Sequence, residues 1–381
     1  MHMSLPKLVI FCGAGFSTCA NIPVMSQFAS RLRSSGYLTP EEQADFDTIQ
    51  LTCESMGGLI GVSARNLEQL SSFIAILNLT RPDFRFVGAT KYATPQQALA
   101  LITRCIRHLV RPDLNTNDVV AASHIFDSRK LVQMKLVTTN YDVLLELAGL
   151  TSGFPLTATE SIMKSRVTLP EANSTPSNFP SLYSNGSTVP IDIFKLHGSV
   201  NWFNEPGETG RFRTLDHIGW AEIPNAKQNN LRTIKYSNVP DCCVIVPPTV
   251  LKPQAFKELE EQWQGASKAI READHVWFIG YSFPESDSFM RYFLASALHD
   301  NPRIKQIAVI DPDQTVEARC RSILRSATLE SVFRFVPFTW QQVNRQSLLQ
   351  GSWNYVHEGG INDRIVQLRL ERVMRGELPP G

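Results

Sequence analysis

The chain has 381 residues, with 37 Lys and Arg against 36 Asp and Glu and a formal net charge of +1. Its 43% hydrophobic and 19% charged content is that of a folded chain, not a disordered one, and the near-zero balance argues against a broad basic surface for nucleic acid. At about 150 residues per domain, the length fits two or three units or one large α/β domain with an insertion. No apolar run approaches the ~18 residues of a membrane helix, and the first residues lack the order of a signal peptide. The cysteines (12, 19, 53, 105, 242, 243 and 320) are odd in number, and no two are spaced as a zinc knuckle or redox pair. A disulfide framework and a metal site are therefore not expected, and a reducing cytoplasm is.

Lys7 to Cys12 (KLVIFC) is a short apolar run that stops at Gly13, the pattern of a buried strand. The glycine turn Gly13-Ala14-Gly15-Phe16-Ser17 leads toward a helix from about Met25 to Ser34, a nucleotide-binding opening. A helical block follows. Thr39 and Glu42 form a capping box before Pro40 to Met56; Asn66 to Leu79 is apolar on one face; Thr94-Pro95-Gln96-Gln97 caps a helix to about Leu109; Asp118 to Ser128 is another helix. Met134 to Thr138 is a second buried strand, ending at Thr139-Asn140-Tyr141-Asp142, with a helix from Val143 to Leu150. Thr151 to Val189 is loop-like in composition, Ile191 to Leu196 is a strand ending at His197-Gly198-Ser199, and Asn204 to Pro240 reads as a polar, irregular module.

The α/β rhythm then resumes. Strands are expected at Cys243 to Val246, His275 to Ile279, Ile304 to Ile310 and Val332 to Val336, with helices at Phe256 to Ala273, Asp287 to His299 and Gln314 to Ser326. Ile361 to Arg375 reads as a charged amphipathic helix. Alternating strands and helices imply an α/β fold, a Rossmann-like parallel sheet with helices on both faces, and ligands beyond the carboxyl ends of its strands. The expected organisation is a domain over 1–350, with a helical insertion at about 36–128 and a polar module at about 151–240, then a helical tail over 351–381.

Several strand ends carry chemistry. Gly13, Ala14 and Gly15 let a backbone approach phosphate closely, with Ser17 beside them; a tight turn is the plain alternative. Thr18 stands where a dehydrogenase fingerprint has its third glycine, and no acidic residue follows at the spacing hydride transfer needs. Asn140 can bind ribose hydroxyls or position water, whereas Asp142 also suits the cap of the next helix. His197, at a strand end before glycine, suits a general base, and no second ligand at metal spacing accompanies it. Gly280 and Ser282 can hold phosphate or ribose, and Asp311 can accept from a ribose hydroxyl; all three also serve as turn formers.

In this order the segments resemble the fingerprint of the sirtuin superfamily: GAG-x-S with Ile22-Pro23, Thr138-Thr139-Asn140-Tyr141-Asp142, His197-Gly198-Ser199, Gly280-Tyr281-Ser282 and Asp311. The Lys-Leu-His-Gly-Ser and Gly-Tyr-Ser-Phe-Pro wording looks most like bacterial sirtuin-like NAD hydrolases of anti-phage defence. Two departures stand out. The four-cysteine zinc module is missing, and Val24-Met25-Ser26 follows the Ile-Pro pair where deacylases have Asp-Phe-Arg. The resemblance implies NAD as substrate without a metal. Asn140 and His197 would be catalytic; Gly13, Ala14, Gly15, Ser17, Asp142, Gly280, Ser282 and Asp311 would bind NAD. It further implies nicotinamide and ADP-ribose as products, NAD depletion in abortive infection, a homo-oligomer, and a protein partner such as a DNA-translocating ATPase, with no direct nucleic-acid binding and no membrane. The alternatives are an NAD-dependent protein deacylase and a non-catalytic NAD or ADP-ribose sensor scaffold.

Overall fold

In the computed structural model the described residues are 5–57, 66–110, 116–126, 132–152, 156–157, 191–204, 212–214, 219–222, 232–235, 243–246, 253–285, 287–340 and 342. Their strands in chain order are β1 (Lys7–Cys12), β2 (Gln133–Thr138), β3 (Leu156–Thr157), β4 (Ile191–Lys195), β5 (Gly198–Asn204), β6 (Phe212–Thr214), β7 (Gly219–Glu222), β8 (Arg232–Lys235), β9 (Cys243–Ile245), β10 (His275–Ile279), β11 (Gln306–Ile310) and β12 (Phe333–Val336). The α-helices are α1 (Phe28–Ser35), α2 (Pro40–Gly57), α3 (Leu67–Thr80), α4 (Pro95–Leu109), α5 (Thr116–Ser123), α6 (Leu144–Thr151), α7 (Pro253–Arg271), α8 (Ser288–His299), α9 (Thr315–Leu324) and α10 (Ala327–Ser331).

One parallel sheet runs in the order β12-β11-β10-β1-β2-β4-β3. The chain leaves β1 toward β2, β4 and β3, then returns to the other side of β1 with β10, β11 and β12. That reversal makes the carboxyl ends of β1 and β10 a topological switch point, where open α/β sheets place their ligands.

Strand alternation divides the core. Leu8, Ile10 and Cys12 of β1 point into a cluster built with the helical block and α6, including Phe46, Ile74, Ile102 and Leu144. Val9 and Phe11 point the other way, into a cluster with α7, α8 and α9 that includes Ile270, Leu294 and Cys320. A period of two in a fully buried strand thus feeds two apolar layers at once.

The helix starts follow their local chemistry. Thr39 and Glu42 exchange the two bonds of a capping box at α2, Thr94 and Gln97 do so at α4, and the Asn66 side chain caps α3. Burial pushes the Glu42 carboxyl up, but hydrogen bonds from Arg104, the Thr39 N–H and Lys91 outweigh it and hold it at about 2. Asp45, one turn on, accepts from the backbone N–H groups of Thr90, Lys91 and Tyr92 and fastens the α3–α4 connection to α2.

The structure departs from expectation at several elements. The helix expected from about Met25 starts at Phe28, after a 3₁₀ turn over Met25–Gln27, and Gly13 leads into an earlier 3₁₀ turn over Ala14–Ala20. Asn21 sits at φ 57 and Pro23 keeps Ile22 out of the α region, so α1 begins only at Phe28. Cys243–Ile245 does not join the parallel sheet; it pairs antiparallel with β5 in the sheet β6-β5-β9. Residues 204–240, expected to be irregular, contain β6, β7 and β8, and β7 pairs with β8. These strands are too short and polar for periodicity to reveal, and Gly198, at φ 79, makes the bend that separates β5 from β4. The helix expected from Gln314 to Ser326 is α9, Thr315–Leu324, and a further short helix, α10, follows it at Ala327–Ser331. Residues 158–190 and the tail helix expected at Ile361 to Arg375 lie outside the described residues. Among the described residues cysteines 12, 19, 53, 105 and 320 form no disulfide, no helix is long and apolar enough to cross a membrane, and no group of three or more His, Cys, Asp or Glu could hold a metal ion.

Candidate active site

A cavity of about 400 Å³ opens at the carboxyl ends of β1, β2, β4, β10 and β11. Ala14, Gly15, Ser17, Asn140, Asp142, His197, Gly280, Ser282 and Asp311 border it; Gly13 is not among the lining residues. Glu68 from α3, Asp287 at the head of α8, and Thr339 and Trp340 beyond β12 also line it. None of these last four was expected from the sequence. Glu68 reads as one carboxylate in a capped helix, Asp287 as an ordinary cap, and Trp340 follows a strand that carries no glycine turn; only the strand order brings them together.

The glycine turn is built for contact with β10. The Gly13 N–H donates to the Ile279 carbonyl at 3.0 Å and the Gly15 N–H to the Gly280 carbonyl at 2.8 Å. A Cβ on Gly13 would lie 2.5 Å from the Gly280 oxygen, and one on Gly280, which adopts φ 61, would lie 2.3 Å from the Phe16 nitrogen. Two neighbouring parallel strands can end this close together only without side chains. Two of the amides expected to cradle phosphate are therefore committed to the fold.

Ser17, Asn140 and Asp142 form one buried network. Asn140 donates from Nδ2 to the Gly13 carbonyl and to Ser17 Oγ, both at 2.9 Å, and Ser17 Oγ donates to Asp142 Oδ2 at 2.9 Å. The Gly13 carbonyl can only accept, so it fixes which way the Asn140 amide faces. Both amide hydrogens are then spent, and Oδ1, an acceptor, is the atom left for the cavity. Asp142 also accepts from the Leu144 N–H at 3.0 Å at the head of α6, so one carboxylate both caps that helix and lines the cavity. Beneath it Lys195, 1% exposed, donates to the Asp142 carbonyl and to Glu146 Oε1. Burial pushes the Glu146 carboxyl up, against the pull of that ammonium.

His197 occupies the turn between β4 and Gly198. Its carbonyl accepts from the Val246 N–H at 2.9 Å, and its ring lies between Tyr141 and Trp263, with centroids 6.1 and 6.4 Å away. Asp287 Oδ2 stands 4.0 Å from His197 Nε2. Across the cavity, burial pushes the Asp311 carboxyl up, opposed by the Asp313 N–H that it accepts. Ser282 is exposed at the rim, and its carbonyl accepts from Arg319 Nε at 2.8 Å. The cavity wall carries the carboxylates of Glu68, Asp142, Asp287 and Asp311 and, among the described residues, no Lys or Arg. Such a wall favours positive charge developing in the substrate. The buried Tyr281 hydroxyl and the Trp340 indole N–H, both on lining residues, have no hydrogen-bond partner among the described residues.

The model of the SIR2-like domain matches residues 135–332, just over half of the chain. The chain belongs to the SIR2-like family. The matched stretch takes in Asn140, His197, Gly280, Asp287 and Asp311 and begins after the glycine turn of β1. Among solved structures, this SIR2-like chain is similar to a Sir2 homologue–NAD complex (12% identity, TM-score 0.37, 96% of this chain and 90% of that chain covered). It is also similar to Sir2Tm bound to a propionylated peptide (11%, TM-score 0.33, 91% and 93%) and to a Sir2–p53 peptide–NAD+ complex (11%, TM-score 0.32, 91% and 93%). Overlaps at this level carry no argument about activity. No curated protein matches the SIR2-like chain.

Proposed function

We propose that this SIR2-like protein binds NAD+ and hydrolyses its nicotinamide–ribose bond, giving nicotinamide and ADP-ribose. One observation supports this reading above the others: Asn140 has both amide hydrogens committed and a carbonyl oxygen left on a cavity that His197 also lines. That pair supplies what a glycosidic hydrolysis asks for, an acceptor to hold a water or ribose hydroxyl and a base to take its proton.

In the proposed step the C1′–N bond breaks and nicotinamide leaves as a neutral molecule with the bonding electron pair. The ribose becomes oxocarbenium-like, water adds to C1′, and its proton passes to His197 and on to solvent. The carboxylates of Glu68, Asp142 and Asp287, which line the cavity, would stabilise the cationic sugar. Ala14 and Ser17 would face the pyrophosphate; Gly15, whose N–H is held by Gly280, would only leave it room, and Gly13 supports the turn from behind, while Gly280, Ser282 and Asp311 would face the adenosine half. The fit is supported by the orphaned Tyr281 and Trp340 groups, which a polar ligand can partner, and by the apolar strip Ile22-Pro23-Val24, which suits a flat ring.

On the same reading the protein works in the cytoplasm as an NAD-depleting effector of anti-phage defence, as a homo-oligomer or with a partner such as a DNA-translocating ATPase. These statements rest on the motif resemblance. The test is incubation with NAD+, with and without candidate partners, following nicotinamide. His197→Ala and Asn140→Ala are expected to lower release by about 10²–10⁴-fold while circular dichroism shows a folded protein. Full activity in both variants would remove the assignment. Peptide-dependent formation of O-acetyl-ADP-ribose from an acetyl-lysine substrate would instead favour a deacylase.

A further inference from the structure

Asp287 has two tasks on its two oxygens. Oδ1 accepts from the Met290 N–H at 3.1 Å and so caps α8, while Oδ2 faces His197 Nε2 at 4.0 Å. Both side chains are buried, at 5% and 7% exposure, so solvent screens the pair little. The cap fixes the carboxylate in space, and the turn at Gly198 fixes the histidine; the alignment belongs to the fold and does not depend on a flexible surface pair.

We propose that Asp287 is the positioning residue for His197, holding the imidazole with its Nε2 proton toward the carboxylate and stabilising the imidazolium formed when the ring takes up a proton. This rests on the reading of His197 as the base. A proton on Nε2 leaves the lone pair on Nδ1, which is then the atom that accepts from water or a ribose hydroxyl. The 4.0 Å separation is an ion-pair distance, longer than a hydrogen bond, and catalytic contacts of this length often tighten in the substrate complex. Among the described residues, the other titratable groups lining the cavity with His197 are Tyr141, Tyr281, Glu68, Asp142 and Asp311, and Arg291 acts on Tyr281 from α8. Tyr141 donates its hydroxyl to the Val246 carbonyl, and burial together with the charges of Glu68 and Asp287 keeps both phenols neutral. Arg291 is engaged by the Ser322 hydroxyl, and Asp142 by Ser17 and Leu144. Among the described residues, Asp287 Oδ2 is the carboxylate oxygen that stands at ion-pair distance from Nε2.

The decisive variant is Asp287→Asn, because asparagine caps a helix as well as aspartate does but carries no charge. Two measurements on the full chain separate this proposal from the hydrolase reading. The first is the imidazole titration of His197 followed by NMR, which needs no turnover. Its midpoint is expected to move to lower pH by about one unit in the variant. The second is the pH profile of nicotinamide release. Its acidic limb is expected to move the same way, with kcat falling about tenfold or more and KM little changed. Asp287→Ser, a second residue competent to cap, is expected to give the same titration shift if the asparagine variant folds poorly. An unchanged His197 titration in folded Asp287→Asn or Asp287→Ser overturns the proposal, whether or not the wild-type chain releases nicotinamide. A shifted titration with wild-type kcat and an unshifted profile in an active enzyme overturns the catalytic part of it.

Discussion

A lysine sealed inside a protein needs partners, and Lys195 has two: Glu146 and the Asp142 carbonyl. It sits two residues before His197 and directly under the Asn140–Asp142 turn, so it ties the two proposed catalytic segments to each other. Lys195→Met would leave the Glu146 carboxyl buried without its cation, which typically costs about 3–5 kcal/mol. The expected outcome is a large fall in the urea midpoint, most of it recovered in the double variant Lys195→Met/Glu146→Leu; a loss below about 1 kcal/mol would show that the pair is not a strut. None of this was legible beforehand. In the sequence Lys195 is one cation in Lys-Leu-His-Gly-Ser, and a lysine is ordinarily a surface residue. Asn140 and His197 were legible because each follows an apolar run that stops abruptly. Asp287 was half legible: Ser-Asp-Ser before an apolar helix announces a cap, and the cap is there, but its second oxygen faces a histidine 90 residues away in the chain.

At the level of elements, the caps are the most local features and the ones best anticipated. The Thr39–Glu42 and Thr94–Gln97 boxes need only a four-residue pattern. The tertiary consequence of Glu42 is another matter. Its carboxylate also binds Lys91 and Arg104 and so joins α2 to α4. A carboxyl held at about 2 in the folded state, against an ordinary 4.5, contributes stability that is fully present above pH 4.5 and lost as pH falls toward 2. Asp45, lowered by the backbone N–H groups it accepts, acts in the same direction. Thermal midpoints are therefore expected to drop across that window, and Glu42→Gln to lower the plateau and flatten the drop. Parallel pH curves for the two proteins would show that Glu42 is not responsible. The short strands β6, β7 and β8 were illegible for the converse reason: a three- or four-residue polar strand is stabilised by its neighbour and carries little periodic signal of its own.

For the whole molecule, the helical block between β1 and β2 is part of the core, not an appendage. Leu8, Ile10 and Leu136 of the sheet pack in the same cluster as Phe46, Ile74, Leu101 and Ile102, and the block also supplies Glu68 to the cavity. Replacing residues 40–123 by a short linker is expected to expose that face of the sheet and abolish a cooperative thermal transition. A stable, cooperatively melting product would mean that the block is an independent module.

The sequence by itself determined that a parallel sheet forms and which strands end in polar, glycine-punctuated segments, because hydrophobic period and turn chemistry are properties of a few neighbouring residues. The tertiary structure alone decided what those ends do. Strand order set β1 against β10, which committed the Gly13 and Gly15 amides to the fold and removed them from phosphate. It brought the Gly13 carbonyl to Asn140, 127 residues on, and so chose the atom that amide presents to the cavity. It placed Asp287 opposite His197. Each of these depends on the packing of segments far apart in the chain, and no local pattern encodes the distance between them.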